Sequence, residues 1–241
     1  MPRFYCPLPL APGLLVDLPD TVAHHLHVVR QQAGAQLTLF NGQGGQYRAT
    51  LQDVGKRRAS ARVDAFEDVE VELRYAITLA QALPEASKMD WIIEKAVELG
   101  VAAVAPLAAQ RCVTRLSGER LEKRHAHWEG IIVAASEQSG RNRLATLAPL
   151  EDVGKWLSRP APAPRILLSP RGTQTLATWG AAHGAQDVVL MVGPEGGFSP
   201  AEEDAAMAAG ALPLTMGPRI LRTETAGLAA LATLQALWGA M

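Results

Sequence analysis

A chain of 241 residues with 48% hydrophobic and 20% charged side chains can hold one large or two small domains around a real core, which excludes a disordered or staple-dependent protein. Its formal net charge of −1 excludes a general attraction to nucleic acid, so an RNA partner would need a local basic patch. The two cysteines, Cys6 and Cys112, cannot make a four-cysteine zinc site and fit a reducing cytoplasm better than a disulfide framework.

The start, Met1-Pro2-Arg3-Phe4-Tyr5, has no basic region followed by an apolar run, so no signal peptide is read. Residues 1–72 read as β-rich. Leu37-Thr38-Leu39-Phe40 is a short apolar run closed by the turn signal Asn41-Gly42. Gln46 to Leu51 and Arg58 to Val63 follow as further strands, and short strands with glycine turns suggest a small barrel. His24, His25 and His27 have no carboxylate or cysteine beside them; they read as helix packing or surface, and no metal is expected.

After the acidic stretch Glu67 to Glu72 the pattern changes. Tyr75 to Ala80 predicts a strand. Ser87 is the expected N-cap of a helix, with Asp90 three residues on, an apolar face through Ile92, Ile93, Ala96 and Val97, and Gly100 as its stop. Val101 to Leu107 predicts a strand and Ser117 to Ser139 a long helix. Pro160 to Pro164 is a stiff connection. Strands over Ile166–Leu168 and Val188–Val192 then alternate with helices near 173–183 and 200–209, which predicts a mostly parallel α/β sheet. The apolar stretch from Ala226 to Met241 is too short for a membrane span, carries Gln235, and reads as a buried helix.

Three segments in the C-terminal half each follow a strand: Ser169-Pro170-Arg171-Gly172, Gly193-Pro194-Glu195-Gly196-Gly197-Phe198, and Met216 through Ala226. Open α/β sheets bind ligands beyond the carboxyl ends of their strands, so these loops predict one pocket. Glycines let backbone approach a ligand closely. Glu195 would repel a phosphate, and no Gly-Lys-Ser/Thr or G-x-G-x-x-G pattern is present, so a neutral or cationic ligand is expected. Turn glycines joining strands to helices would explain the same residues without a ligand.

Gly193-Pro194-Glu195-Gly196-Gly197-Phe198-Ser199 followed by Met216-Gly217-Pro218-Arg219-Ile220-Leu221-Arg222-Thr223-Glu224-Thr225-Ala226 resembles the signature of the 16S rRNA uridine-N3 methyltransferase family of the SPOUT superfamily. Further blocks are similar to that family: His24 to Arg30, Phe40-Asn41-Gly42, Lys88 to Gly100, Glu137 to Arg141, and Leu168 to Gly172. The likeness covers nearly the whole chain. It implies a PUA-like RNA-binding β-barrel over 1–72 and a trefoil-knotted SPOUT methyltransferase domain over 73–241, an exception to unknotted topology. It also implies a homodimer, which the helix from Thr223 to Trp238 fits, since a helix apolar all round must be covered on all sides. S-adenosylmethionine would contact Leu168 and Pro170, then Gly193, Pro194, Gly196 and Gly197, then Met216, Gly217, Ile220, Leu221, Thr225 and Ala226. The substrate implied is 16S rRNA in the assembled small ribosomal subunit; a relative acting on tRNA, or an inactive RNA-binding one, is the alternative.

Methylation at N3 requires loss of a proton whose pKa lies roughly two units above neutrality. Arg222 and Arg219 are candidates to stabilise the uracil anion. Glu195 or Glu224 could accept the proton or orient an arginine, and Glu224 could instead cap the last helix with Thr223. Phosphate contacts are expected from Arg111, Arg115, Arg120, Lys123 and Arg124, from Arg141 and Arg143, and from Lys56-Arg57-Arg58 with Arg3 and Arg30. Cys112 reads as a buried small hydrophobe.

Overall fold

The computed structural model describes residues 1–239. The chain divides into two compact units: Met1–Glu72 with Ser136–Leu144, and Leu73–Ala135 with the chain from Ala145 onward. Sequence alone leaves 136–144 in the second domain. Polar ties explain why they join the first. The buried Arg141 guanidinium pairs with Glu72 at 2.6 Å, and Glu137 accepts the Tyr5 N–H at 2.8 Å.

The first unit runs β1 (Arg3–Tyr5), β2 (Leu15–Asp17), α1 (Asp20–Val28), β3 (Gln36–Phe40), β4 (Gln46–Val54) and β5 (Ala59–Glu67). Its sheet has the order β1-β3-β4-β5-β2, with β1 parallel to β3 and the other pairs antiparallel. Alternation sends Ala59, Ala61 and Val63 of β5 inward onto Leu37, Leu39 and Leu51. Helix α1 carries the three histidines and buries Val22, Ala23 and Leu26, too few apolar positions to fix its bounds from the sequence.

The second unit runs β6 (Ile77–Ala82), α2 (Lys88–Glu98), β7 (Ala103–Ala108), α3 (Gly118–Ser139, whose last turn belongs to the first unit), β8 (Thr146–Leu147), β9 (Glu151–Asp152), α4 (Val153–Leu157), β10 (Arg165–Leu168), β11 (Gln174–Thr175), α5 (Leu176–Ala182), β12 (Val188–Val192), α6 (Pro200–Ala208), β13 (Leu212–Thr215) and α7 (Thr223–Leu237). The strand order is β11-β13-β10-β12-β6-β7-β8, with β9 also on β7, and each pairing is parallel. Every residue of β12 is buried, as a strand covered on both faces requires.

Two local expectations need correction. Ser87 precedes α2, but its backbone is not extended and its side chain caps nothing. The Asp90 carboxylate is occupied elsewhere, by the Trp128 indole N–H and the His127 ring, both at 3.0 Å. Thr223 and Glu224 do not cap α7 either; its N-cap is Arg222, which makes no side-chain cap bond. Within one chain α7 is covered on one side only. Gly227, Leu228, Ala230, Leu231 and Leu234 are buried toward α2, α5, β6 and β12, while Thr225, Ala236 and Leu237 are exposed. Gln235 is buried and donates to the Leu99 carbonyl. Residues 240 and 241, the end of the predicted apolar helix, lie outside the described residues. No helix among the described residues is long and apolar enough to cross a membrane.

Candidate functional site

Strands β13, β10 and β12 are adjacent and parallel, so the loops leaving their carboxyl ends gather at one sheet edge. Two adjoining cavities lie there, of about 510 and 420 Å³. Leu168, Pro170, Ile220, Leu221 and Ala226 line both. Met216, Gly217 and Arg219 complete the first, and residues 193–198 wall the second. The size suits a nucleoside-sized ligand.

The 193–198 loop is held from three sides. The buried Thr223 hydroxyl donates to the Gly193 carbonyl at 2.6 Å and accepts the Gln81 amide N–H at 2.9 Å. Arg111 donates to the Gly196 carbonyl at 2.8 Å and to that of Phe198 at 3.3 Å. Glu195 accepts from Lys88 at 2.5 Å and from the Glu85 N–H at 3.1 Å. Burial alone would raise the Glu195 pKa, but the hydrogen bonds from Lys88 and from backbone N–H groups outweigh it and hold the carboxyl below its usual range. A Cβ on Gly193 would come within 2.8 Å of the Phe198 nitrogen, so the loop doubles back too tightly for a side chain. Beyond the loop, Ser199 and Glu202 form a capping box that starts α6; the Ser-x-x-Glu spacing could have revealed it.

All of the expected cofactor residues lie on these cavities except Thr225, which is exposed at the start of α7. Of the expected catalytic residues, Arg219 lines the first cavity and Glu195 the second, while Arg222 lines neither. Both arginines are exposed, and neither guanidinium makes a hydrogen bond or ion pair among the described residues. Glu224 keeps one carboxylate oxygen buried without a hydrogen-bond partner. Lys88, Gln81 and Thr223 were not read as site residues. A lysine and a glutamine far back in the sequence give no local hint that they brace this loop.

Several expected RNA contacts have intramolecular partners in the structure. Arg3 is half-buried and bonds to Gln46, Asn142 and the Arg141 carbonyl, with its guanidinium over the Phe40 ring. Burial lowers its pKa, opposed by the charge of Glu137. Arg141 is only 4% exposed, inside its pair with Glu72. Arg143 pairs with Glu70 and Lys123 with Glu119. Arg111 braces the 193–198 loop, Arg115 holds the Ala109 and Gln110 carbonyls, and Arg124 lies 3.4 Å from Asp90. Arg30, Arg120 and the β4–β5 hairpin tip Lys56-Arg57-Arg58 are exposed and make no ion pair among the described residues. Cys112 is buried and its thiol pKa is raised by that burial.

Residues 71–235 match the RNA methyltransferase domain family, and residues 18–64 match the RNA methyltransferase PUA domain family. A ribosomal RNA small subunit methyltransferase E from Neisseria gonorrhoeae, solved bound to S-adenosyl methionine, superposes with a TM-score of 0.93 at 41% identity, covering 99% of this chain and 98% of that one. A methyltransferase from Legionella pneumophila, solved with the same cofactor, gives 0.92 at 36% identity over 97% of this chain and 96% of that one. The ribosomal RNA small subunit methyltransferase E of Mycobacterium tuberculosis is 33% identical over 229 residues, 89% of this chain and 87% of its own.

Proposed function

The chain belongs to the RNA methyltransferase family, and from that premise we propose that it methylates N3 of a uridine in 16S rRNA, using S-adenosylmethionine. The observation that carries the reading is the pair of cavities at the carboxyl ends of β10, β12 and β13, in a chain that follows a cofactor-bound relative almost end to end.

The residues present fit that cofactor. Leu168, Leu221 and Ala226 offer apolar walls for an adenine, and the 193–198 loop offers main-chain polar groups. The loop has an acidic residue where a phosphate site would need a basic one. When bound, S-adenosylmethionine supplies an electrophilic methyl group on a sulfonium. The chain must orient the uracil and stabilise it without its N3 proton. Arg219 and Arg222 carry the two unpaired guanidiniums best placed in sequence to face the uracil oxygens, where positive charge lowers the barrier. Glu195 is committed to Lys88 and serves as a loop anchor; the unpaired oxygen of Glu224 is buried. The N3 proton therefore leaves to solvent as the arginines stabilise the anion.

A trefoil knot is part of the reading. It is supported by β13 pairing between β10 and β11, so that a late segment enters between two strands joined only by residues 169–173. The closest approach there is tight: a Cβ on Gly172 would meet Leu214 and Thr215 backbone at 2.8 Å. A homodimer is supported by the open side of α7 and by Ile220, 80% exposed beside the cavities. Arg30 and the 56–58 hairpin tip are assigned to RNA phosphates, and the enzyme to the cytoplasm, acting on the assembled small subunit.

Expression in a bacterium that lacks 3-methyluridine tests this. Nucleoside mass spectrometry of its 16S rRNA should detect that nucleoside; a new methyl group in tRNA alone would keep the chemistry and overturn the substrate.

A further inference from the structure

Away from the cofactor cavities, the second unit holds another cavity of about 500 Å³, between the β6–α2 loop and the start of α3. Its floor is apolar, with Leu83, Met89 and Leu116, and Trp128 is 2% exposed at its back. Arg120, Arg124 and Trp128 recur at every fourth residue of α3 and so share one helix face. Arg115 approaches from the preceding loop.

The charge here is unbalanced. Neither Arg115, whose guanidinium donates to the Ala109 and Gln110 carbonyls, nor Arg120 pairs with a carboxylate among the described residues. Arg124 reaches Asp90 only at 3.4 Å, and Asp90 is shared with His127 and Trp128. Glu85 is the one acidic residue in the lining. Three guanidiniums around an apolar floor suit a group with a flat apolar part and a negative part, which describes a nucleotide.

The cavity also adjoins the transfer site. Glu85 lines it, and the backbone N–H of Glu85 donates, beside Lys88, to Glu195 on the second cofactor cavity. We propose that this cavity seats a nucleotide of single-stranded RNA flanking the methylated uridine, its base on the Leu83–Met89–Leu116 floor and its phosphate against Arg120 and Arg124. This rests on the RNA methyltransferase reading above.

The test uses the full chain and a fluorescently labelled single-stranded oligouridylate, with anisotropy read across a salt series. Arg120→Gln and Val113→Glu alter the rim at exposed positions that hold nothing else; Val113 is 72% exposed. Arg120→Gln should weaken binding several-fold and reduce the salt-dependence slope by about 0.7, the loss of one single-strand phosphate contact. Val113→Glu should weaken binding at least as much. S-adenosylmethionine affinity, measured by calorimetry, should stay within about twofold of wild type in both variants. Unchanged oligonucleotide affinity and slope in both would overturn the nucleotide site while leaving the methyltransferase reading intact. Failure of the wild-type chain to bind S-adenosylmethionine would instead remove the reading on which the site rests.

Discussion

The hydroxyl of Thr223 donates to the carbonyl of Gly193 across a separation of 2.6 Å, joining the first turn of α7 to the loop that walls the second cavity. The same oxygen accepts from Gln81 on β6, so one buried hydroxyl links three elements. Thr223→Val keeps the shape and removes the hydroxyl, leaving a partly buried carbonyl and a buried amide N–H without this partner. The expected loss is about 1–3 kcal/mol of stability, with weaker S-adenosylmethionine binding. Denaturant unfolding with and without the cofactor measures both, and equal stability with full affinity would show that the link is dispensable.

The two glycines at 193 and 196 should behave differently. A Cβ at Gly193 meets loop backbone at 2.8 Å, whereas one at Gly196 meets only the Arg111 stem, at 3.4 Å. The sequence marks both glycines as cofactor contacts; the structure puts the tighter constraint at Gly193. Gly193→Ala should reduce S-adenosylmethionine affinity tenfold or more, and Gly196→Ala only slightly. Calorimetry showing the reverse order would place the critical constraint at Gly196.

The pH profile separates anion stabilisation from a carboxylate base. Because the Glu195 pKa is depressed, its contribution is present above its unfolded pKa of about 4.3 and is lost as pH falls through the lower folded value. The Lys88 pKa is raised, chiefly by the Glu195 hydrogen bond, so its part is present below about 10.4 and is lost as pH rises through the folded value. The pair therefore stays ionised from about pH 5 to pH 10, and turnover should climb through neutrality with no step in the carboxylate range. Arg222→Ala and Arg219→Ala should each retain cofactor binding while losing on the order of 10²–10³ in kcat. Glu195→Gln should lose less than tenfold. An ascending limb near pH 6 that disappears in Glu195→Gln would make Glu195 the base after all.

Arg141 should prove structural. It is a buried cation paired with Glu72, and removing one partner of such a pair costs about 3–5 kcal/mol. Arg141→Met should lower the thermal midpoint clearly. Lys56→Ala and Arg57→Ala, on the open hairpin tip, should leave stability unchanged and flatten the salt dependence of RNA binding. A stable Arg141→Met with impaired RNA binding would restore it to the RNA surface.

Much of the sheet is legible in the sequence because β12 is a continuous apolar run, β10 carries Ile166 to Leu168, and α2 and α3 carry helical periods. The loop glycines and Met216 through Ala226 marked the pocket, since each segment follows a parallel strand. What escaped was of two kinds. Short elements such as β8, β9 and α4 are fixed by tertiary pairing more than by local pattern. Arginine clusters looked alike in sequence, yet Arg3 and Arg141 satisfy buried carbonyls and carboxylates whereas Arg57 meets solvent. Only the fold distinguishes a guanidinium that is occupied from one that is free.

The most direct measurement is transfer of labelled methyl from S-adenosylmethionine to purified small ribosomal subunits from a bacterium lacking the modification, with digestion and mass spectrometry of the nucleosides. The proposed activity requires label as 3-methyluridine at a single position of 16S rRNA. Label in any other nucleoside, or none on subunits while S-adenosylmethionine still binds, would contradict it.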